Sequence, residues 1–159
     1  MKIELLQDNF KIEKAKKEDW NEILILLEET NLIDRILGNG NHKNFYIVKA
    51  IDTKKIICCF AIFHKDNIGI LKSFGIKKEL QGQGIGKKIA NKLPELIKSV
   101  GLNKLYAASW EAPDFWEKAG FEELDFNASN DCYFLEYADY LEKNYPQFLD
   151  NRKYFVLNL

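Results

Sequence analysis

Apolar residues alternate with polar ones, or recur at helical spacing, along the first part of the chain, and the two periods predict different elements. FKIEKA (10–15) alternates and predicts a strand. Residues 17–30 show helical spacing, with acidic residues in the first turn, and predict a helix. Residues 31–37 predict a second short helix, and GNGN (38–41) predicts a loop. Four apolar residues form the predicted buried face of the first helix: Trp20, Ile23, Leu24 and Leu27.

Three strands are predicted in the middle of the chain, because β-branched and aromatic residues dominate there. They cover residues 44–52, 55–65 and 68–78, and a tight turn near residues 52–54 joins the first two. Gly75 interrupts the third strand and indicates either a bulge or a close backbone approach.

Helical spacing returns in residues 86–101, where Pro94 predicts a kink or a restart and Gly101 predicts the end of the helix. The remaining predicted elements are a strand at 104–109, a short helix at 112–120, a strand at 121–126, a helix at 131–145 and a last strand at 153–159. Strands and helices in this order predict an α/β fold, a mixed central sheet with helices on both faces.

Composition limits the class of protein. The chain has 159 residues, of which 47% are hydrophobic, and its net charge is -1. The length predicts one domain, and the balanced charge argues against nucleic acid as a partner. No apolar run reaches the roughly 18 residues of a membrane span, and the first ten residues lack the apolar core of a signal peptide. We therefore expect a soluble cytoplasmic protein that does not bind membranes.

The three cysteines and two histidines have no spacing typical of a metal site or a disulfide framework, so no metal is expected. Cys58 and Cys59 are adjacent and Cys132 is distant, and we interpret all three as small core residues.

Charge is distributed unevenly along the chain. Residues 65–104 contain nine lysines and three acidic residues, a net charge of about +6. Residues 121–150 contain eight acidic residues and one lysine, a net charge of about -7. The first segment favours an anionic ligand and the second a cationic one, although solvated surface explains most individual charges.

The segment LQGQGIGKK (80–88) has three glycines in five positions, although each glycine within a helix costs about 0.5–1 kcal/mol relative to alanine. A P-loop does not fit, because it would need glycine at Gln81 and serine or threonine at Lys88. The dinucleotide pattern G-x-G-x-x-G also fails, because its last glycine would fall at Lys87 or Ile89.

A third phosphate-binding pattern, Gln/Arg-x-x-Gly-x-Gly/Ala between a strand and a helix, fits Gln81, Gly84 and Gly86. The first N–H groups of a helix have no partner within it, and the helix dipole favours negative charge there. Glycine lets an anion approach without a Cβ in the way. Lys87 and Lys88 would be slightly unfavourable at a helix start unless a polyphosphate is bound. The alternative is a glycine-rich turn with solvated lysines.

Two stretches resemble the GNAT superfamily of acyl-CoA-dependent N-acetyltransferases. LKSFGIKKELQGQGIGKKIANKL (71–93) resembles the central strand, pyrophosphate loop and following helix of that family, and SWEAPDFWEKAGF (109–121) resembles a later segment. The resemblance covers roughly residues 10–126. It implies a single GNAT-like domain over residues 1–159, with a variable C-terminal tail from about residue 127, and acetyl-CoA as co-substrate.

The resemblance also implies a cofactor site. The backbone of residues 74–76 would pair with the pantetheine arm and the acetyl carbonyl, and the backbone of residues 81–86 would hold the pyrophosphate. Strands 68–76 and 104–109 would separate to admit the cofactor. The implied cofactor-binding residues are Phe74, Gly75, Ile76, Gln81, Gly82, Gln83, Gly84, Ile85, Gly86, Lys87, Ser109 and Trp116.

The sequence departs from the family at three positions. A frequent tyrosine, which can protonate the leaving thiolate, falls at Trp116, whose indole has no proton to give at neutral pH. A frequent glutamate falls at Lys72, and a frequent asparagine falls at Ser109. We therefore interpret Trp116, with Phe115, mainly as a core residue. Three side chains are left as catalytic candidates: Glu111, Tyr133 and Cys132.

These features predict an N-acetyltransferase that moves an acetyl group from acetyl-CoA to a primary amine. The acidic C-terminal part suggests a cationic acceptor, such as a polyamine, an aminoglycoside-like amine or a lysine side chain. A CoA-binding regulatory module that has lost turnover is the alternative, and a nucleic-acid binder is opposed by the acidic tail. YFVLNL (154–159) is expected to be an exposed apolar edge that could pair two copies in a homodimer.

Overall fold

The computed structural model of the chain describes residues 9–32, 42–109, 113–125 and 129–159. The strands in these residues are β1 Phe10–Lys14, β2 Phe45–Ala50, β3 Ile56–Lys65, β4 Ile68–Ile76, β5 Lys104–Ser109, β6 Glu122–Leu124 and β7 Lys153–Asn158. The α-helices are α1 Trp20–Glu29, α2 Ile85–Ala90, α3 Leu93–Ser99, α4 Pro113–Lys118 and α5 Cys132–Asn144. The short helix predicted for 31–37 and the loop predicted for 38–41 lie largely outside the described residues.

The seven strands form one sheet in the order β1-β2-β3-β4-β5-β7-β6. Neighbours pair antiparallel in β1–β2, β2–β3, β5–β7 and β6–β7, whereas β4 and β5 are parallel. The parallel register joins Ile68–Ile70 to Lys104–Tyr106. The predicted mixed sheet with helices is therefore confirmed.

The described residues fall into two compact units. One takes its residues from 1–62 and 72–88, and the other consists of 63–71 and 89–159. The single domain over residues 1–159 with a variable tail stays a prediction.

The first unit contains α1, whose apolar face differs slightly from the one predicted. Ile23, Leu26 and Leu27 are buried, whereas Trp20 and Leu24 are partly exposed. Helical spacing was therefore correct, but the centre of the buried face is rotated toward Leu26.

In the second unit, α5 packs on the sheet through an aromatic cluster. Phe134, Ala138 and Leu141 are buried at the i, i+4 and i+7 positions of one helical face. The Phe134 ring stacks on Tyr106 with centroids 4.3 Å apart, and Tyr154 meets Phe134 edge-on at 5.5 Å. These contacts anchor the long connection between β6 and β7.

The helix predicted for residues 86–101 is two helices, because Pro94 restarts it near the beginning of α3. Gly101, at φ +82°, follows the last turn. Its N–H donates to the Lys98 carbonyl at 3.2 Å, and the N–H of the next residue donates to the carbonyl five positions earlier at 2.8 Å. Paired bonds of this kind end a helix at a left-handed glycine, as the sequence predicted.

The prediction that residues 154–159 form an exposed edge is wrong. β7 lies between β5 and β6, so other strands use the hydrogen-bonding groups on both of its sides. Residues Tyr154–Leu157 are also buried. The sequence argument for a homodimer through this strand is thereby removed.

The cysteines differ from one another. Cys58 and Cys59 are buried, as predicted, but Cys132 is exposed at the start of α5, so its interpretation as a core residue is wrong. Burial raises the pKa of Cys58, and burial raises the pKa of Cys59 to about 12. Both buried thiols therefore stay protonated at neutral pH and are poor nucleophiles.

Candidate cofactor-binding site

Strand β4 is the fourth of the seven strands, and three consecutive residues of it, 72–74, are partly exposed. The flanking residues Leu71 and Gly75 are buried. Solvent therefore reaches three successive residues of β4 at this point. Ser73 has a left-handed φ of +57°, which costs about 1–3 kcal/mol in a residue other than glycine.

Gly75 is crowded rather than left-handed. A Cβ built on Gly75 would lie 3.0 Å from Thr30 Oγ1 and 3.3 Å from Leu32 Cδ1. These atoms belong to side chains and not to backbone, so the two predicted explanations for this glycine, a bulge and a close backbone approach, stay predictions. The left-handed residue of β4 is Ser73.

A row of aromatic rings holds Phe74 in place. Its ring stacks on Phe60 with centroids 5.7 Å apart, and Phe60 stacks on Tyr46 at 5.4 Å. The Lys14 ammonium lies 4.6 Å from the centre of the Tyr46 ring, a cation–π contact. The row fixes the side chain of Phe74, and with it the course of β4 where the resemblance places the acetyl group.

The glycine-rich loop leaves β4 through a 3-10 turn, Lys78–Leu80, and doubles back on the end of the strand. The Gln81 side-chain amide donates to the Ile76 carbonyl at 3.0 Å. Gly82 and Gly84 have left-handed φ values of +76° and +80°, and a Cβ built on either would meet nothing within 4 Å. Backbone direction, rather than crowding, therefore requires glycine there, and the space beside both residues is open.

Gln83 is tied into the same loop. Its side-chain nitrogen donates to the Glu79 carbonyl at 3.3 Å. Its Oε1 is buried, and the described part of the chain supplies no donor to it. A buried acceptor oxygen without a donor is a position at which water or a ligand N–H completes the hydrogen bonding.

Helix α2 begins directly after the loop. The Lys88 N–H donates to the Gly84 carbonyl at 3.3 Å, which opens the helical hydrogen-bond series. The backbone N–H groups of the residues before Lys88 have no acceptor within the helix, and they point toward the glycine-rich loop. Ile85 and Gly86 are buried, whereas Lys87 is exposed. The predicted cofactor-binding residues 74–76 and 81–87 therefore follow one another along a single strand, loop and helix start.

The two predicted cofactor-binding residues of the second unit are buried. Ser109 is 8% exposed at the end of β5, and Trp116 is 7% exposed in α4. The Trp116 ring packs edge-on against Phe115 at 4.9 Å and against Phe121 at 5.1 Å. This packing is what a core residue needs, whereas a contact of either residue with the cofactor stays a prediction.

The structure describes two of the three predicted catalytic candidates. Glu111 lies outside the described residues. Tyr133 and Cys132 occupy the first turn of α5. Burial, and then the charge of Glu136, raise the pKa of Tyr133, so its hydroxyl stays protonated at neutral pH. A catalytic role for any of the three stays a prediction.

No sequence pattern predicted the polar cluster that links β5 to the start of α5. The Tyr106 hydroxyl donates to Asp131 Oδ2, and the Lys104 ammonium lies 3.2 Å from the same oxygen. The Asp131 N–H donates to Ser129 Oγ at 3.3 Å. The only available signal was that Lys104 and Tyr106, two positions apart on a strand, share a face. Their common partner is distant in sequence.

The cluster makes stability depend on pH. The hydrogen bond from Tyr106 holds the pKa of Asp131 below its ordinary value, and Lys104 adds to this against the effect of partial burial. A lowered folded-state pKa contributes stability above the unfolded-state pKa, about 3.9, and this contribution disappears as pH falls through the folded-state value. We expect the unfolding free energy of Asp131→Asn to fall less between pH 6 and pH 3 than that of the natural chain.

Urea unfolding at several pH values measures this difference. Asp139→Asn is the control, because Asp139 is an exposed carboxylate within α5, the helix that Asp131 directly precedes. Among its described salt bridges, Asp139 pairs only with Lys143, at 2.9 Å. Exposed pairs of this type contribute about 0.3–0.5 kcal/mol. Parallel pH curves for the natural chain and Asp131→Asn would contradict the expectation.

Among the residues described, no three His, Cys, Asp or Glu side chains come together as metal ligands. No helix within the same residues combines the length and apolarity that a membrane crossing requires.

Comparison with known proteins identifies the family. A family model described as an acetyltransferase (GNAT) domain matches residues 41–123, which is more than half of the chain. This match defines the class of protein as an acetyltransferase domain, and the chain belongs to the GNAT acetyltransferase family.

Solved structures show the same fold at low sequence identity. N-acetylglutamate synthase from Neisseria gonorrhoeae, complexed with coenzyme A and N-acetyl-glutamate, has a TM-score of 0.70 and 19% identity over 94% of this chain. The chain covers 35% of that longer protein. Rv2747 from Mycobacterium tuberculosis, in complex with CoA, has a TM-score of 0.69 and 18% identity, and the match covers 94% of this chain and 99% of that protein. A GNAT family acetyltransferase from Elizabethkingia anophelis with acetyl-CoA bound has a TM-score of 0.64 and 19% identity, and the match covers 96% of this chain and 99% of that protein.

Proposed function

We propose that the chain transfers an acetyl group from acetyl-CoA to a primary amine of a small molecule or protein. The observation that carries this proposal is the loop after β4. Gly82 and Gly84 turn its backbone through left-handed conformations, beside open space, directly before the first turn of α2. Backbone N–H groups and the helix dipole at such a place favour an anion, as the pyrophosphate of acetyl-CoA would supply.

The rest of the cofactor follows β4 in this proposal. The backbone of residues 74–76 pairs with the pantetheine arm and the acetyl carbonyl, and residues 81–87 hold the pyrophosphate. Partial exposure of Phe74 and Ile76, on a strand in the middle of the sheet order, supports access to that backbone. CoA or acetyl-CoA in the similar structures supports the same ligand.

Bound acetyl-CoA supplies an activated thioester, so the reaction needs few groups from the protein. The acceptor amine would attack the thioester carbonyl, a C–N bond would form as the C–S bond breaks, CoA would leave as a thiolate, and the proton lost by the amine would pass to that thiolate or to water. A thiol with a pKa near 8.5 is an adequate leaving group without a proton donor. Backbone N–H groups that polarise the carbonyl, together with positioning of the amine, carry the rate. This chemistry is compatible with Trp116 in place of a tyrosine.

The test has two stages. We expect acetyl-CoA to raise the melting temperature of the protein, because a ligand that binds only the folded state stabilises it. Pantetheine lacks the pyrophosphate and serves as the matched control, with a much smaller expected shift. A panel of primary amines is then added, and release of the free CoA thiol is measured. Equal shifts with both compounds would show that the loop does not hold the pyrophosphate.

A second candidate function is a CoA-binding regulatory module. Trp116 and Lys72 favour it, because they stand where the family often has a tyrosine and a glutamate. Acetyl-CoA would then raise the melting temperature while no amine released the thiol. A cytoplasmic location and a cationic acceptor, the latter based on the acidic residues 121–150, stay proposals.

A further inference from the structure

Helix α5 carries a row of tyrosines beside the face that packs on the sheet. Four of the seven tyrosines of the chain lie within residues 133–145. Tyr133, Tyr137 and Tyr140 occupy the i, i+4 and i+7 positions, which share one face of a helix. We call these three residues the tyrosine stripe. Each of them directly precedes a residue of the buried face, so the two faces are one residue step, about 100°, apart around the helix axis.

Solvent reaches the tyrosine stripe along its length. Tyr140 is 45% exposed. Tyr133 and Tyr137 pack in part against the core and are partly exposed. The Tyr140 ring also meets the Tyr145 ring edge-on, with centroids 6.4 Å apart. Tyrosines that are held by a helix and still reach solvent offer a rigid contact area at little cost in conformational entropy, which is why tyrosine is enriched at protein interfaces.

The charge beside the tyrosine stripe is negative. Glu136 is exposed, and its charge adds to the effect of burial in raising the pKa of Tyr133, so the carboxylate acts on that end of the stripe. None of the salt bridges found among the described residues includes Glu136. Asp139, on another side of the helix, pairs with Lys143 at 2.9 Å. The stripe therefore combines aromatic rings with a carboxylate that no lysine of the described residues neutralises.

Rings and carboxylate both favour a cation. The face of an aromatic ring attracts a cation by about 0.5–1 kcal/mol at an exposed site. The chain makes such a contact elsewhere, where the Lys14 ammonium lies 4.6 Å from the centre of the Tyr46 ring. Residues 121–150, which contain α5, have a net charge of about -7, so the local field also favours a positively charged partner.

The size of the tyrosine stripe limits the partner. Seven residue steps separate Tyr133 from Tyr140, a rise of about 10 Å. An extended chain covers this length with about three or four residues. A stable interface between two folded copies buries about 800 Å² on each partner. Three tyrosines supply less than this, because one entire aromatic side chain buries about 150–250 Å². A short extended segment therefore fits the stripe better than a second copy of the chain.

We propose that the tyrosine stripe of α5 binds a short lysine-rich segment of a partner protein, with lysine ammonium groups on the tyrosine rings and beside Glu136. The stripe shares no residue with the predicted cofactor site, so this inference goes beyond the proposed acetyl transfer. If the partner is also the acceptor, which rests on the proposed function, acetylation removes the lysine charge that the stripe binds and favours release of the product.

The experiment measures binding of a dye-labelled peptide, in which lysine alternates with glycine, to the full chain by fluorescence anisotropy without acetyl-CoA. The control peptides replace lysine by glutamate or by acetyllysine. We expect only the charged lysine peptide to bind, and its affinity should fall as salt rises. Tyr140→Ala should weaken binding about threefold, whereas Tyr140→Phe keeps the ring and should bind like the natural chain. Tyr140→Ala combined with Glu136→Gln should lose about tenfold.

Asp139→Asn is the matched control, because it removes the same charge from the same helix outside the tyrosine stripe. We expect it to change the affinity by less than about twofold. An equal loss in Asp139→Asn and Glu136→Gln would show diffuse charge attraction and overturn the proposal. Unchanged affinity in the double variant would also overturn it, as would self-association that Tyr140→Ala abolishes in a chain that binds no peptide. Because acetyl-CoA is absent, a failure of the proposed acetyl transfer does not affect this result.

Discussion

Gly84→Val is expected to weaken acetyl-CoA binding by at least tenfold, about 1.4 kcal/mol, while the protein still folds. Gly84 has a φ of +80°, which a β-branched residue adopts only with strain. Valine would therefore either displace the loop backbone or place a branched side chain in the open space beside Gly84. Both outcomes disturb the N–H groups proposed to hold the pyrophosphate. Isothermal titration calorimetry with acetyl-CoA measures the change.

Gly101→Val separates ligand binding from backbone strain. Gly101 has a φ of +82°, and a Cβ built on it also meets nothing within 4 Å, so the two substitutions impose the same kind of strain. Gly101 follows α3 and belongs to no proposed ligand contact. We expect both variants to lose about 1–3 kcal/mol of stability, and only Gly84→Val to lose affinity. Equal affinity in the two folded variants would show that the pyrophosphate lies elsewhere.

Phe134→Ala is expected to lower the unfolding free energy by about 3–5 kcal/mol, the range for removing a large buried aromatic side chain. Phe134 is fully buried, stacks on Tyr106 and meets Tyr154 edge-on. Alanine would leave a cavity where α5 packs on the sheet. Alanine is also the better helix former, so the loss cannot be attributed to helix propensity. Urea unfolding followed by circular dichroism measures it.

Cys132→Ala, two residues earlier on the same helix, is the control. Cys132 is exposed, and a surface substitution of this kind changes stability by less than about 0.5 kcal/mol. Amide hydrogen exchange should show faster opening of α5 in Phe134→Ala than in Cys132→Ala. A stability loss below about 1 kcal/mol in Phe134→Ala would mean that α5 does not depend on the aromatic cluster.

The elements could be predicted from sequence wherever their cause is local. The alternation of residues 10–15 has a period of two residues, and the helical spacing of residues 131–145 has a period of 3.6 residues. Each period extends over a single element. Pro94 restarts a helix because its ring excludes a hydrogen bond within its own turn. Such causes act within a few residues, so no knowledge of the sheet is needed to use them.

The position of the glycine loop between a strand and a helix could be predicted from the sequence, but its backbone conformation could not. The spacing of Gln81, Gly84 and Gly86 indicated a backbone anion site between a strand and a helix. The structure shows that Gly82 and Gly84 are the left-handed residues, whereas Gly86 lies within α2. Which glycine turns the chain depends on where α2 begins, and the side chain of Gln81 fixes the loop to the end of β4.

The sequence by itself determined the order of strands and helices, the family and the position of the candidate cofactor site, because each depends on a contiguous stretch. Tertiary structure decided which strands are neighbours. β7 lies between β5 and β6 although residues 154–159 alone resemble an edge, since pairing partners are chosen by contacts between distant parts of the chain. It also gave β4 a left-handed residue at Ser73, which no pattern predicted, and it brought Asp131 to Tyr106 and Lys104. Each of these outcomes depends on free energies shared by segments far apart in sequence, which no local pattern records.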